Sequence, residues 1–191
     1  MEREIALQIV KKQLTEKRYI HTIGVLETAI QLAKTYDANE DKAAMAAIFH
    51  DYAKCRKVKE MKQLVIKEKL DRRFLDYGTE LLHAPVGALL VKTEVGIKDE
   101  DILDGIRYHT TGRPQMSLLE KIVFIADYIE PNRTFSGVEE ARELAFKNIN
   151  EAIVFAIVNT IEFLLKKKQL VFPDTLATYN YLIENMKEAS Q

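Results

Sequence analysis

The stretch Ala43-Ala-Met-Ala-Ala-Ile-Phe-His-Asp-Tyr-Ala-Lys54 decides how this chain folds. Its first seven residues, 43–49, are all apolar, so a helix built from them has no polar face for water. A helix of that kind is usually a central one, surrounded by other helices. His50 and Asp51 follow directly, and burying an imidazole beside a carboxylate is costly unless each is paired, hydrogen-bonded or bound to a metal. The stretch therefore predicts a helical core with a polar site at its edge.

Outward from this stretch, apolar residues recur at helical spacing along almost the whole chain. The predicted helices cover about 5–14, 18–36, 58–70, 83–95, 101–109, 118–130, 139–146, 148–168 and 175–187. Ser117 and Glu120 form a capping-box pattern at one helix start, and Gly96 and Pro131 are expected to end two others. No alternating strand pattern or internal repeat is found, so we predict an all-α, single-domain helical bundle.

The predicted helix over 18–36 carries two features of interest. Its inward-facing residues are expected to be Ile20, Ile23, Leu26, Ile30 and Ala33. Gly24 lies in the helix interior, where it costs about 1 kcal/mol relative to alanine. The close approach of another backbone is one reason for a glycine there.

The composition restricts the classes of partner. Apolar residues make up 47% and charged residues 30% of the 191 residues, as in ordinary globular proteins. The formal net charge is −1, so duplex nucleic acid is not the expected partner. No apolar run reaches the roughly 18 residues of a membrane span. Cys55 is the only cysteine, which excludes an intrachain disulfide and favours the cytoplasm.

Six histidine and aspartate side chains form the candidate metal site. Each lies on, or beside, a predicted helix, and most adjoin its apolar face. They are His21, His50, Asp51, His83, His109 and Asp127. Imidazole nitrogens and carboxylate oxygens bind iron, manganese, cobalt, nickel or zinc, whereas no cysteine is spaced for a thiolate zinc finger. A helical bundle is the kind of fold that brings such scattered ligands together.

The order of these residues resembles that of the HD-domain metal-dependent phosphohydrolases. Three motifs narrow the resemblance to the bacterial YqeK subfamily, which is similar over about residues 3–186. They are His50-Asp51-Tyr52-Ala53-Lys54, Tyr108-His109-Thr110-Thr111-Gly112 and Ala126-Asp127-Tyr128-Ile129-Glu130-Pro131-Asn132-Arg133. The resemblance implies one HD domain over 1–191, with a core at about 18–130 and helices at about 139–187 completing the bundle and a nucleotide pocket. It also implies symmetrical cleavage of diadenosine tetraphosphate to two ADP, by attack of a metal-bound hydroxide on phosphorus.

The resemblance assigns roles to the candidate site residues. His21, His50, Asp51 and Asp127 would hold one metal, with iron the first choice. His83 and His109 would serve a second metal bridged by Asp51, or would face the phosphates. Asp51, Lys54, His83 and His109 would then be the catalytic residues. The segment that would line the nucleoside end is Leu170-Val171-Phe172-Pro173-Asp174-Thr175.

Helical spacing and chemistry favour four further substrate contacts. Lys54 follows His50 by four residues, so its ammonium lies on the metal side, within reach of a phosphate. Arg133, just past the helix of Asp127, offers a planar fork for phosphate oxygens. Arg18 is one turn before His21 and could cover the same opening. Thr110 adjoins His109 and offers a hydroxyl and an N–H group.

Two other functions use the same residues. One is a different phosphohydrolase of the superfamily, acting on a deoxynucleotide or nucleoside monophosphate. The other is a non-catalytic nucleotide-binding helical module with a structural metal, although Lys54, His83 and His109 exceed what a closed structural site needs. A homodimer is compatible with a small bundle, but no stretch of the sequence defines an interface.

Overall fold

The structure is a computed structural model that describes residues 1–188. Over that range it contains ten α-helices and no β-strand, so the all-α prediction is confirmed. The helices are α1 (Arg3–Lys11), α2 (Glu16–Thr35), α3 (Glu40–Phe49), α4 (Val58–Lys67), α5 (His83–Leu90), α6 (Glu100–Tyr108), α7 (Leu118–Ile129), α8 (Val138–Lys147), α9 (Ile149–Lys166) and α10 (Pro173–Glu188). Two 3₁₀ turns, Arg72–Leu75 and Thr79–Leu81, lie between α4 and α5. None of the described helices has both the length and the apolarity needed to cross a bilayer.

Helix α3 is the centre of the bundle, as its sequence predicts. All residues from 43 to 49 are buried, and α3 contacts α1, α2, α6 and α7. Its alanines allow close crossing: a Cβ added to Gly105 of α6 would lie 3.2 Å from the Cβ of Ala46. The end of α3 therefore places His50 and Asp51 among several helices at once.

Helix α2 packs beside α3 and α7, but one of its expected core residues is outside. Ile20 is 51% exposed, so the prediction that it faces inward is wrong. The buried face of α2 is centred on residues such as His21, Val25 and Leu32, and Ile20 lies at its margin. Burial is decided by which helices pack on α2, and apolar spacing alone does not reveal that.

Gly24 has the close neighbour that its position suggested. A Cβ on Gly24 would lie 2.4 Å from Oε2 of Glu130 and 3.2 Å from Cδ of Pro131. The approaching atoms belong to side chains of the segment after α7, and not to its backbone as the sequence suggested. Glycine at position 24 therefore makes room for the segment that carries Glu130.

Three helix boundaries bear on the site. The capping box of Ser117 and Glu120 is present at the start of α7. The helix predicted over 83–95 ends earlier as an α-helix and continues as a π-helical turn, Val91–Val95, before Gly96 stops it with a φ of +84°. Helix α10 begins at Pro173, earlier than the predicted start at 175, so half of the segment 170–175 is helical.

Candidate metal centre and active site

The fold brings all six candidate metal-ligating side chains into one buried cluster. His21 lies in α2, and His50 and His109 end α3 and α6. His83 begins α5, and Asp127 lies in α7. All four histidines and Asp51 are at least nine-tenths buried, while the Asp127 side chain is 21% exposed. The cluster therefore has one open side, at Asp127.

Hydrogen bonds fix which nitrogen of each histidine faces the cluster. Three histidines donate from Nδ1 to the backbone oxygen of the residue three positions earlier. These bonds are His50 to Ala47 at 2.7 Å, His83 to Glu80 at 2.5 Å and His109 to Ile106 at 2.7 Å. His21 donates from Nδ1 to Oε1 of Glu130 at 3.1 Å. With Nδ1 protonated, each neutral imidazole directs the lone pair of Nε2 into the cluster.

The acceptor atoms form two groups that share Asp51. In the first group, Nε2 of His21 lies 3.2 Å from Nε2 of His50 and 3.0 Å from Oδ1 of Asp127. Oδ2 of Asp51 completes this group at 3.9 Å from His21 and 3.7 Å from His50.

In the second group, Nε2 of His83 lies 3.0 Å from Nε2 of His109 and 3.1 Å from Oδ1 of Asp51. The two carboxylate oxygens of Asp51 thus face different groups. This is the arrangement that a bridging carboxylate requires.

The donor set fits a divalent cation. Imidazole lone pairs and carboxylate oxygens that face each other at 3.0 to 4.0 Å repel unless a cation or proton lies between them. These nitrogen and oxygen ligands suit first-row divalent metals and give no preference for one of them. The cluster therefore could hold one cation in each group.

The electrostatics favour neutral His50 and His109 and an ionised Asp127. Burial lowers the pKa of His50, and burial together with the adjacent His83 lowers the pKa of His109 to about 3. Burial opposes ionisation of Asp127, but the nearby His21 outweighs it and holds the pKa of Asp127 well below its usual range. Burial alone would lower the pKa of His21, but Asp127 and Glu130 raise it above its ordinary value. His21 therefore holds a second proton more readily than His50 or His109, and a cation bound there would displace it.

Cationic side chains approach the cluster from both ends. Arg18 donates to Oδ2 of Asp51 at 3.1 Å, and Arg133 donates to Oδ1 of Asp127 at 2.7 Å. At the other end, Nζ of Lys54 lies 3.3 Å from Nδ1 of His83 and 3.4 Å from Oε2 of Glu80. All three cations are positioned where a bound anion would meet the metal ligands.

Thr110 and the turn after it adjoin the second group. Oγ1 of Thr110 is buried and has no hydrogen-bond partner among residues 1–188. Helix α10 packs onto the same turn, since a Cβ on Gly112 would lie 3.0 Å from the Thr178 side chain. Thr178, in the second turn of α10, therefore lies beside the turn that follows His109.

The segment 170–175 divides into anchored and free residues. Phe172 is 2% exposed and stacks on Phe74 at 4.5 Å between ring centroids. Asp174 accepts hydrogen bonds from Arg73 at 2.8 and 3.0 Å, and Thr175 is buried. Leu170 is 66% exposed, and Val171 and Pro173 retain accessible surface. These three and the Asp174 side chain, which is 25% exposed, offer surface to a ligand.

Glu130 is the site residue to which sequence reasoning assigned no role. It is 2% exposed, and besides its bond from His21 it accepts hydrogen bonds from the backbone and side-chain nitrogens of Asn132 at 2.8 and 2.9 Å. Its position three residues after Asp127, beyond the helix end, was visible in the motif. Its contacts with Gly24 and His21 become visible only in the three-dimensional packing.

An all-α bundle with histidine and aspartate ligands converging on a buried acceptor cluster defines a class of metal-binding helical proteins. The HD domain family model matches residues 18–132, and the chain belongs to this family.

Relatives match over nearly the whole chain. A protein of Bacillus subtilis (strain 168), named "Bis(5'-nucleosyl)-tetraphosphatase, symmetrical", is 60% identical over 96% of this chain and 98% of its own length. A Halalkalibacterium halodurans protein of the same name is 63% identical over 98% of this chain and 100% of its own length. The crystal structure of a predicted HD superfamily hydrolase involved in NAD metabolism from Clostridium acetobutylicum superposes with a TM-score of 0.92. It is 40% identical and covers 97% of this chain and 98% of its own.

Proposed function

We propose that this chain hydrolyses diadenosine tetraphosphate symmetrically to two ADP. The observation that carries the proposal is the name shared by relatives 60% and 63% identical over nearly their full length. In the reaction, water adds to one of the two inner phosphorus atoms and the bond from that atom to the central bridging oxygen breaks. Each product then carries two phosphates.

We infer that the two acceptor groups are the metal sites. His21, His50, Asp127 and Oδ2 of Asp51 would hold one cation, and His83, His109 and Oδ1 of Asp51 would hold a second. Iron is our first choice, and manganese, cobalt, nickel and zinc accept the same ligands. A divalent cation in such a site supplies Lewis acidity to water and neutralises charge on the phosphates.

The chain's own cations bind and orient the polyphosphate. Each phosphate carries negative charge. Lys54 would contact the polyphosphate at the His83 end of the cluster, and Arg18 and Arg133 would contact it at the His21 end. A charge pair about 4 Å apart near a protein surface is worth roughly 4 kcal/mol before desolvation. With cations at both ends, the central phosphates are held over Asp51, which is where symmetrical cleavage must occur.

The remaining contacts place one nucleoside. Thr110 offers an unpaired hydroxyl beside His109, and Leu170, Val171 and Pro173 offer surface nearby. Phe172, Asp174 and Thr175 would act by holding that segment in place. In this proposal the HD domain spans 1–191, and the segments from about 139 to 187 complete the pocket.

The assay is direct. The chain, purified without chelators, is analysed for metal and then incubated with diadenosine tetraphosphate, and the products are separated by chromatography. We expect ADP as the sole nucleotide product. Equal amounts of ATP and AMP would contradict symmetrical cleavage, and phosphate release from a mononucleotide would favour the other phosphohydrolase activity. Turnover also excludes the non-catalytic nucleotide-binding module.

Two properties stay predictions of ours. A cytoplasmic location follows from the single, exposed Cys55. A homodimer is open to a direct test by light scattering of the purified chain.

A further inference from the structure

A cleft of about 800 Å³ opens beside the first acceptor group. It lies between residues 15–21, at the start of α2, and residues 130–135, which follow α7, and we call it the α2 cleft. Its inner end reaches His21 and Glu130, and both Arg18 and Arg133 line it. The cleft thus leads from the surface to the metal ligands.

The α2 cleft is lined by cationic, acidic and apolar side chains. Arg18 and Arg133 reach Asp51 and Asp127 with their guanidinium groups. Two apolar side chains of the same lining are exposed, Ile20 at 51% and Phe135 at 37%. The Phe135 ring packs on Tyr128 at 4.8 Å between centroids, which holds it in place. Cations and exposed apolar side chains in one cleft suit a nucleotide, because phosphates pair with cations and bases pack on apolar surface.

A second cleft lies on the other side of Arg133 and Phe135. It has a volume of about 700 Å³, borders Asp127 and runs along α9 past Phe163 to Lys166. This cleft reaches Lys166 at the end of α9, from which the chain continues to the segment 170–175. Arg133 and Phe135 therefore separate two routes out of one metal cluster.

When a substrate is cleaved in its middle, its two halves extend in different directions from the reacting phosphorus. The Lys54 end and the segment 170–175 serve one half, which leaves the other half without a site. We propose that the α2 cleft binds the second nucleoside diphosphate half of the substrate, with Ile20 and Phe135 contacting its base and Arg18 its phosphates. The proposal rests on the proposed function and names the site of the second product.

The first test counts ADP molecules bound by the metal-loaded protein, using calorimetry. Wild type is expected to bind two ADP per chain, and Ile20→Ser should weaken one of the two sites about tenfold. Ile66→Ser is the matched control, because Ile66 is 54% exposed on α4, outside both clefts, and it should still bind two. A wild-type count of one, or two sites of wild-type affinity in Ile20→Ser, would overturn the proposal.

The second test compares two substrates. Ile20→Ser and Phe135→Ala should each raise the KM for diadenosine tetraphosphate by about tenfold, the size of a lost base contact. The KM for adenosine tetraphosphate, which has one nucleoside, should stay at the wild-type value. Equal effects on both substrates, or none on either, would refute the assignment. If wild-type protein makes no ADP at all, the proposed function fails, while the ADP count still decides the α2 cleft.

Discussion

Glu130 accepts a hydrogen bond from Nδ1 of His21 at 3.1 Å, although 109 residues separate the two in sequence. A carboxylate behind a metal-ligating histidine fixes the tautomer of the ring and increases its basicity. Glu130 is itself held by Asn132 and faces Gly24 across the helix boundary. The metal cluster thus depends on a buried residue that is not a ligand.

Glu130→Gln should weaken metal binding while leaving the fold intact. The amide keeps the shape of the side chain but removes the charge and places an NH₂ group against the donors of Asn132. We expect the metal affinity to fall about 10- to 100-fold. Metal titration followed by elemental analysis measures this. Glu143→Gln, at a side chain that is 74% exposed, is the control and should bind metal like wild type.

Gly24→Ala should destabilise the protein although alanine is the better helix former. Its Cβ would lie 2.4 Å from Oε2 of Glu130, so the segment after α7 must shift. We expect a loss of about 1–3 kcal/mol of unfolding free energy, measured by denaturant titration.

Gly87→Ala in α5 is the matched control. There the new Cβ meets its nearest neighbour at 3.6 Å, an ordinary contact distance. Its stability should equal or exceed that of wild type by up to about 1 kcal/mol. Equal effects of the two substitutions would show that Gly24 is not needed for close packing.

The sequence predicted the all-α fold because the apolar run at 43–49 admits only a buried helix. It also predicted the six-residue cluster, since the histidines and aspartates stand in a recognisable order along helices. It did not predict the role of Glu130, whose partners Gly24 and His21 come from a distant helix. It placed Ile20 inside, because helical spacing does not tell which neighbours cover a face. Such features depend on how helices pack, which local pattern does not encode.

His83→Ala should lower the metal content without emptying the cluster. His83 belongs to the second acceptor group, whereas His21, His50 and Asp127 of the first group stay in place. We expect two metal ions per chain in wild type and one in His83→Ala, measured by elemental analysis of protein purified without chelators. His21→Ala should instead lose the ion of the first group. Identical metal content in wild type and His83→Ala would mean that His83 does not hold an ion.

Lys54→Met should slow turnover through lost phosphate binding. The Lys54 side chain is 17% exposed beside His83, so its ammonium is partly desolvated and aimed at the cluster. Losing a charge-assisted hydrogen bond of about 1.5–3 kcal/mol lowers kcat/KM roughly 10- to 100-fold. Lys57→Met, at a side chain that is 84% exposed, should leave kcat/KM unchanged. Steady-state kinetics with diadenosine tetraphosphate measure both variants. Equal kcat/KM values would mean that Lys54 does not contact the substrate.

Leu170 and Phe172 lie two residues apart, but their substitutions should affect different properties, substrate binding for Leu170 and stability for Phe172. Phe172 is buried against Phe74 and Tyr77, so Phe172→Ala should cost about 3–5 kcal/mol of unfolding free energy. Leu170 is 66% exposed, so Leu170→Ala should change stability by less than about 0.5 kcal/mol. If the segment contacts the nucleoside, Leu170→Ala raises KM with an unchanged melting temperature. The opposite result would be an unchanged KM in Leu170→Ala and in the folded fraction of Phe172→Ala. It would mean that the segment only connects α9 to α10.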